Sequence, residues 1–244
     1  MDTSGFKSLI LQPLNWLPGF DHPFFKIDFE TILHTWFAIL IIIILIIIIR
    51  INLQKQTGII RYLTLEFFKN FIELNKQSFG NFNFNYFALT TALFIFILIC
   101  NIASIIPGLE EPTSRLNTTF ALGLVMFFYN QYQAIKVHGI VDYAKEYFQP
   151  FFLMLPLNII GRCANIISIS FRLFGNILGG AIIGTLYLEF ISRSAWLESA
   201  GILSGINFLL IGFFTIFEGS MQAFVFCMLA TSYLSTAILG EFQE

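Results

Sequence analysis

Long apolar runs separated by polar segments dominate the hydrophobic pattern of this chain. The first run extends from Trp36 to Ile49, is rich in isoleucine and ends at Arg50. A hydrocarbon core of about 30 Å requires about 20 apolar residues in a helix, and a helix satisfies its own backbone polar groups, as lipid demands. We therefore predict a membrane-spanning helix here, after an extramembrane segment that covers residues 1–30.

Polar segments mark the connections between the next spans. Residues 51–83 carry scattered Lys, Arg and Glu and predict a loop with a short amphipathic helix on one membrane face. Apolar residues then predict a second span over 84–106 and a third over about 116–132. Residues 136–149 are polar again and form another connection.

Two longer apolar stretches complete the chain, Leu157–Glu189 and Asn207–Leu239. Each holds about 33 residues, which measure about 50 Å as a helix, too long to stand upright in the bilayer core. The helices must therefore tilt strongly or break at glycines, and the short connection Ser192–Gly205 favours a hairpin. The predicted fold is an all-α integral membrane protein. It has about five transmembrane helices, the last two long and tilted as a hairpin, plus short amphipathic helices, in one transmembrane domain over residues 31–244.

Composition agrees with a chain that lies in a bilayer. Of its residues, 57% are apolar, 17% are aromatic and only 11% are charged, against roughly 25% charged residues in soluble domains. The mean hydropathy is +0.78. These values exclude a soluble enzyme, a disordered tail and a nucleic-acid binder, which would need a basic surface. The three cysteines lie in apolar runs without ligand spacing, so we predict no metal site, disulfide framework or cofactor.

Basic residues beside the spans predict the orientation of the chain. More of them fall on one side of the membrane than on the other. The majority side has Arg50, Lys55, Arg61, Lys69, Lys76, Lys136 and Lys145, and the minority side has Lys7, Lys26, Arg115 and Arg193. The majority side should be cytoplasmic, which puts the N-terminus outside and, with five spans, the C-terminus in the cytoplasm. We expect a bacterial plasma membrane because no organelle-targeting segment is visible, and the alternative is an organelle-encoded chain, which would have similar features.

Three ionisable residues interrupt the two long stretches: Arg162, Arg172 and Glu218. A charge at mid-bilayer costs ~2.5–3.5 kcal/mol on insertion scales, so such residues normally face protein or water and mark an ion path. The alternatives are a structural ion pair between the helices and a side chain that reaches the interface. A structural or interfacial role is favoured for Arg162, near the start of its stretch. Arg172 lies too deep to reach the interface.

Small and polar residues share a helical face with Arg172. The residues of this face are Ser168, Arg172, Asn176 and Gly179. Further glycines after the arginine, Gly175 and Gly180, let another surface come close, although ordinary small-residue packing would explain the glycines alone. On the last stretch, Glu218 and Gln222 are four residues apart and form a polar stripe. A lone glutamate could instead merely bond a neighbouring helix.

The segment Ser168-Ile-Ser-Phe-Arg172-Leu-Phe-Gly-Asn176 resembles the arginine motif of subunit a of the F-type ATP synthase membrane sector. The segment Gln222-Ala-Phe-Val-Phe resembles a motif of that family's last helix. Weaker similarities begin at Asn101, at Leu116-Asn117 and at Pro156. All follow the order of the family and cover about residues 101–235.

The resemblance implies a stator subunit of a rotary ATP synthase that provides the ion half-channels. The hairpin of about 157–239 would lie against a ring of c subunits, and a b-type peripheral stalk and the remaining synthase subunits would be further partners beside the lipid bilayer. Arg172 would be the essential arginine, Ser168 and Asn176 its polar neighbours, and Gln222 its partner glutamine. Translocation of H⁺ or Na⁺ would be coupled to ATP synthesis or hydrolysis. The nucleotide chemistry must occur on partner chains, because this chain has no phosphate-binding loop.

The chain departs from the family pattern near the arginine. Positions at which members of the family often carry ionisable residues hold Ala181 and Thr215 here. Glu218 lies about one turn from Gln222, and we hypothesise that it replaces the missing half-channel group. Where many members have glutamates, this chain has Gly161 and Arg162, and the extra cation could alter the cytoplasmic exit or the ion preference.

Two other classes of function fit the residues alone. The first is a small secondary transporter or channel, whose central Arg–Glu pair binds substrate and which would act without partners. The second is a structural membrane anchor, in which the buried charges only hold helices together.

Overall fold

The computed structural model describes residues 10–11, 27–55, 58–106, 111–148, 152–193, 205 and 212–239. Seven α-helices account for most of them. They are α1 (Phe29–Leu53), α2 (Ile59–Phe79), α3 (Phe84–Ile102), α4 (Leu116–His138), α5 (Ile140–Glu146), α6 (Met154–Ser192) and α7 (Gly219–Leu239). A π-helical segment, Gly212–Glu218, leads directly into α7. Short 3₁₀ turns occupy Ala103–Ile105 and Pro112–Ser114.

The predicted all-α membrane fold is confirmed. Four helices of the described part of the chain are long and apolar enough to cross a bilayer: Glu30–Leu53, Phe84–Ile102, Met154–Ser192 and Thr215–Leu239. The predicted third span lies within α4, which has 23 residues but is more polar than these four. Most of the predicted N-terminal segment lies outside the described residues. Its described part includes the two-residue strands β1 (Ile10–Leu11) and β2 (Ile27–Asp28), which pair antiparallel.

Helix α6 is continuous over 39 residues, about 58 Å at 1.5 Å per residue. It passes through Gly175, Gly179 and Gly180 without a break. We predicted that a helix of this length either tilts strongly or breaks at glycines. A break at the glycines is wrong for α6, so the strong tilt is the remaining alternative. The predicted connection between the long helices lies mostly outside the described residues.

Polar side chains and glycines set several helix boundaries. Asn83 caps α3, because its side-chain oxygen accepts a hydrogen bond from the Asn85 amide at 3.0 Å. Gly139 has a φ of 81°, which favours glycine, and separates α4 from α5.

Helix α2 is amphipathic as predicted: Phe71 is buried and Lys69 is exposed. With 21 residues, α2 is longer than the short helix predicted for this segment.

The hydrophobic core lies where α3, α4, α6 and α7 meet. Its buried residues are Leu93, Ile97, Met126, Ile169, Leu173, Ala223, Phe226 and Ala230. Helices α4 and α6 cross closely, since a Cβ atom on Gly123 would clash with the Ser170 hydroxyl. Leu173 and Ala223 belong to this core and directly follow Arg172 and Gln222 in the chain. The packing of α6 and α7 therefore also determines where those two side chains lie.

Candidate functional site

Arg172 lies near the middle of α6 and is exposed on the surface of the bundle. The next residue, Leu173, is fully buried in the core, so the packing of α6 turns the arginine outward. Ser168, one turn earlier, is also exposed. A Cβ atom built on Gly175 or Gly179 would meet no atom within 4 Å. The structure thus leaves Ser168, Arg172 and the glycines beside them uncovered.

A short hydrogen bond joins the arginine helix to the last helix. Asn176 Nδ2 donates to Gln222 Oε1 at 2.6 Å, and Gln222 is only 4% exposed. The bond uses the oxygen of the glutamine amide. The Nε2 atom of Gln222 is buried and has no hydrogen-bond partner among the described residues. Two residues that the sequence placed on separate helices are therefore in direct contact one turn from Arg172.

Glu218 is the last residue of the π-helical segment and is half-buried. It lies about one turn before Gln222, as the spacing predicted. Segments of π-helix are rare and occur frequently at functional sites. Within the described part of the chain, Arg172 and Glu218 form no ion pair or hydrogen bond with each other or with another residue. The structural ion pair considered above is thus not formed between these two residues.

A buried polar contact holds the junction between the π-helical segment and α7. Asn101, at the end of α3, donates through Nδ2 to the Gly219 carbonyl at 3.0 Å, and Thr113 donates its hydroxyl to Asn101 Oδ1 at 2.9 Å. A Cβ atom on Gly219 would lie 3.1 Å from Asn101 Cβ. These contacts fix the residue next to Glu218.

A cavity of about 1080 Å³ opens between α4, α6 and α7. It follows α6 from Met154 to Ile169 and α7 from Ala230 to Ala237. Its polar lining consists of Asn130, Gln131, Asn158, Arg162, Asn165, Tyr233 and Thr236. No Asp or Glu is among the described residues that line it. The cavity therefore offers neutral polar groups and one cation along about 22 Å of α6.

The remaining predicted residues have separate surroundings. Arg162 lies on the cavity wall, where its Nη1 donates to the Tyr143 hydroxyl at 2.7 Å. Asn117 is the second residue of α4 and is exposed. Ala181 is exposed on α6, and Thr215 is half-buried in the π-helical segment.

Sequence reasoning missed the polar lining of the cavity. Asn158, Arg162 and Asn165 follow at i, i+4 and i+7, a helical spacing that could have revealed a polar face on α6. Asn130 and Gln131 directly follow an apolar run and still fall within the predicted third span, which is itself a signal. The sequence indicated Asn101 only as part of a motif. Its hydrogen bond to Gly219 could not be predicted, because the two residues are far apart in the chain and no local pattern connects them.

The fold and this site define a class: an integral membrane protein with an arginine exposed midway along a helix long enough to cross a bilayer. Residues 32–235 match the family model described as ATP synthase A chain. The chain belongs to this family.

Relatives named ATP synthase subunit a support this assignment. One from Moorella thermoacetica is 31% identical over 213 residues, which cover 87% of this chain and 92% of the relative. "ATP synthase subunit a 2" from Picosynechococcus sp. is 35% identical over 152 residues, 62% of this chain and 60% of the relative. A third, from Desulforamulus reducens, is 33% identical over 147 residues, 60% of this chain and 55% of the relative. The chain thus spans less than two thirds of the length of the latter two relatives and nearly all of the first.

Proposed function

We propose that this chain is the stator subunit a of a rotary F-type ATP synthase and that Arg172 faces a ring of c subunits. The observation that carries the proposal is the exposed Arg172 near the middle of α6, which has no ion-pair partner among the described residues. A cation at this depth is too costly to leave against lipid. Water or a group outside the described residues must therefore compensate it, and we propose a group from a partner chain.

A carboxylate on a moving ring fits this requirement. Such a group crosses lipid in its neutral form, because an unpaired charge is too expensive there. Beside a fixed cation its ionised form is favoured, so it releases its ion. Arginine stays protonated at any relevant pH and cannot relay protons itself. Arg172 would thus discharge each ring carboxylate and prevent a direct leak between the two sides of the membrane.

The cavity fits one of the two aqueous half-channels. We define the basic end of the bundle by Arg50, Lys76, Lys136 and Lys145, and we assign it to the cytoplasm by the excess of basic residues. The cavity begins at this end and reaches Ile169, about 4.5 Å along the helix axis from Arg172. The Oδ1 atom of Asn130 is buried without a partner among the described residues, and it can accept a hydrogen bond from water.

Glu218 fits the second half-channel, on the opposite side of Arg172. On α7 the cavity residues begin at Ala230, after Gln222 in the chain, whereas Glu218 precedes Gln222. The two polar features therefore lie towards opposite ends of the bundle, with the Asn176–Gln222 bond between them. An ion could reach the ring from one side and leave on the other only after the ring has turned.

The proposal extends to partners and location. The family's name implies a complex with the other synthase subunits, and we propose contacts with the c ring and with a b-type peripheral stalk. The complex would lie in a bacterial plasma membrane, with the N-terminus of this chain outside and its C-terminus in the cytoplasm. Each unit charge that crosses gains ~2.3 kcal/mol per 100 mV, which would drive rotation.

The test is ATP-driven ion pumping by the whole complex in vesicles, with H⁺ and Na⁺ each monitored. Arg172→Ala should abolish pumping in a complex that still assembles. Arg193→Ala is the matched control, because Arg193 is exposed at the end of α6 and lies 3.8 Å from Glu189; it should pump normally. Undiminished pumping by assembled Arg172→Ala complexes would refute the proposal and favour the structural anchor. Solute uptake by the purified chain alone would favour the transporter.

A further inference from the structure

A cluster at the wall of the cavity joins α6 to α5. It consists of Arg162 on α6, Tyr143 on α5 and Tyr147 directly after α5. Arg162 Nη1 donates to the Tyr143 hydroxyl at 2.7 Å. Its Cζ atom lies 4.4 Å from the ring centroid of Tyr147 and 5.3 Å from that of Tyr143. The two hydroxyls are 2.8 Å apart. A single guanidinium thus donates to one tyrosine and stacks against both.

Tyr147 extends this cluster to the neighbouring helices. Its hydroxyl donates to Gln131 Oε1 on α4 at 3.3 Å, and its backbone carbonyl accepts from Asn158 Nδ2 on α6 at 3.0 Å. Gln131, Asn158 and Arg162 all line the cavity. The cluster therefore joins α5 and the residue after it to both walls of the cavity.

Helix α5 depends on such contacts for its position. It has only seven residues, too few for an isolated helix to be stable in water. Ile140, Val141 and Lys145 are exposed, whereas Tyr143 is buried with 8% exposure. Gly139, with its positive φ, lets the chain turn sharply between α4 and α5. Tyr143 is thus the buried anchor of α5, whose other described side chains are all exposed.

We propose that Arg162 is a positioning residue that clamps α5 to α4 and α6 and so keeps the cytoplasmic mouth of the cavity in its open shape. The link to ion transport rests on the proposed function, because it takes the cavity as the half-channel. Arginine suits this role, since its planar group can donate and stack at once, whereas lysine offers a compact, strongly hydrated charge. The clamp requires the shape of the side chain as well as its charge.

Three variants separate the clamp from a purely electrostatic role of Arg162. Arg162→Lys keeps the charge and loses the stacked geometry, Arg162→Met loses the charge, and Tyr143→Phe keeps both charge and ring but loses the hydroxyl. Tyr132→Phe is the matched control, because Tyr132 is 61% exposed on α4. All variants are made in the whole complex.

The first measurement is amide hydrogen exchange over residues 140–147, which reports local opening independently of ion transport. Arg162→Lys and Arg162→Met should each speed exchange about tenfold, and Tyr143→Phe about threefold. Tyr132→Phe should leave it unchanged. Unchanged exchange in all three cluster variants would overturn the clamp.

The second measurement is the cytoplasmic ion concentration at which ATP-driven pumping is half-maximal. Arg162→Lys should raise this concentration about threefold or more with little change in the maximal rate, because access to the cavity is impaired while the chemistry at Arg172 is intact. Loss of maximal rate alone in fully assembled complexes would overturn the positioning role. An effect of Arg162→Met without one of Arg162→Lys would overturn it in favour of electrostatics. Faster exchange with normal pumping would overturn the role of the clamp in keeping the cavity open for ions, a failure distinct from that of the Arg172→Ala test.

Discussion

At the residue scale, the site combines an exposed cation with a buried amide pair. The guanidinium of Arg172 faces outward, whereas Gln222 is almost completely buried and held by Asn176. A buried amide is costly when its partner is removed, but replacing both partners by apolar groups of similar shape can be nearly neutral. This asymmetry allows the structural role of the pair to be separated from its role in transport.

The first prediction concerns that amide pair. Asn176→Leu should lower the free energy of unfolding by about 1–3 kcal/mol, because Gln222 Oε1 loses its donor in a buried setting. The double variant with Gln222→Leu should recover most of this stability and yet pump poorly, because both amides are gone. Thermal unfolding of the purified complex and pumping in vesicles check the two parts. Wild-type stability in the single variant, or wild-type pumping in the double variant, would contradict this interpretation.

A second prediction concerns Glu218 as the half-channel carboxylate. Glu218→Gln keeps the size and polarity of the side chain but removes its charge and its ability to exchange a proton. We expect slower ion transport with normal assembly. Glu189→Gln is the matched control, since Glu189 is exposed near the end of α6 and lies beside Arg193, and it should transport ions at the normal rate. Equal rates in the two variants would leave Glu218 without the proposed role.

At the scale of elements, the close crossing of α4 and α6 sets the position of the arginine helix. Gly123 faces Ser170, whose hydroxyl occupies the space that a Cβ atom would need. Ser170 is fully buried and lies two residues before Arg172. A larger residue on α4 would therefore displace the Ser170 hydroxyl or move the part of α6 that carries the site.

The third prediction follows from this crossing. Gly123→Ala should destabilise the chain by about 1–3 kcal/mol through overpacking, although alanine is the better helix former. Gly123→Ala combined with Ser170→Ala should recover part of the loss, because the clashing hydroxyl is removed. The control is Gly161→Ala, since a Cβ atom there meets nothing within 4 Å. Thermal unfolding distinguishes these variants, and equal stability of Gly123→Ala and Gly161→Ala would contradict the close crossing.

Single elements could be predicted from the sequence, but their crossings could not. The apolar runs gave the positions of α1 and α6, and helical spacing together with the family resemblance brought Arg172, Asn176 and Gln222 to one site. The predicted contact between the two long helices follows from those motifs. The π-helical segment has no hydrophobic periodicity that would distinguish it from an α-helix in the sequence. The cavity and its tyrosine cluster were missed because they depend on how α4, α5 and α6 cross, which local patterns do not encode.

At the scale of the whole molecule, we propose that the chain conducts ions only together with a partner. The cavity rises from the basic end and ends close to Arg172, and Glu218 lies towards the other end. The face with Ser168, Arg172 and Gly175 is left open between these two features. Under the proposed function, a carrier that picks up the ion on one side and delivers it on the other lies against this face, and we propose that the c ring is that carrier.

The most direct test of this central proposal is a disulfide cross-link in the assembled complex. Ser168→Cys, one turn from Arg172, should cross-link to a cysteine placed beside the ring carboxylate, in a background with Cys163→Ser because Cys163 is exposed. Ile46→Cys is the control: Ile46 is 55% exposed on α1 and should not cross-link to the ring. Cross-linking from position 168 and its absence from position 46 is the predicted result. Equal cross-linking from both positions, or none from position 168 in a complex that pumps, would contradict the proposal that the arginine face lies against the ring.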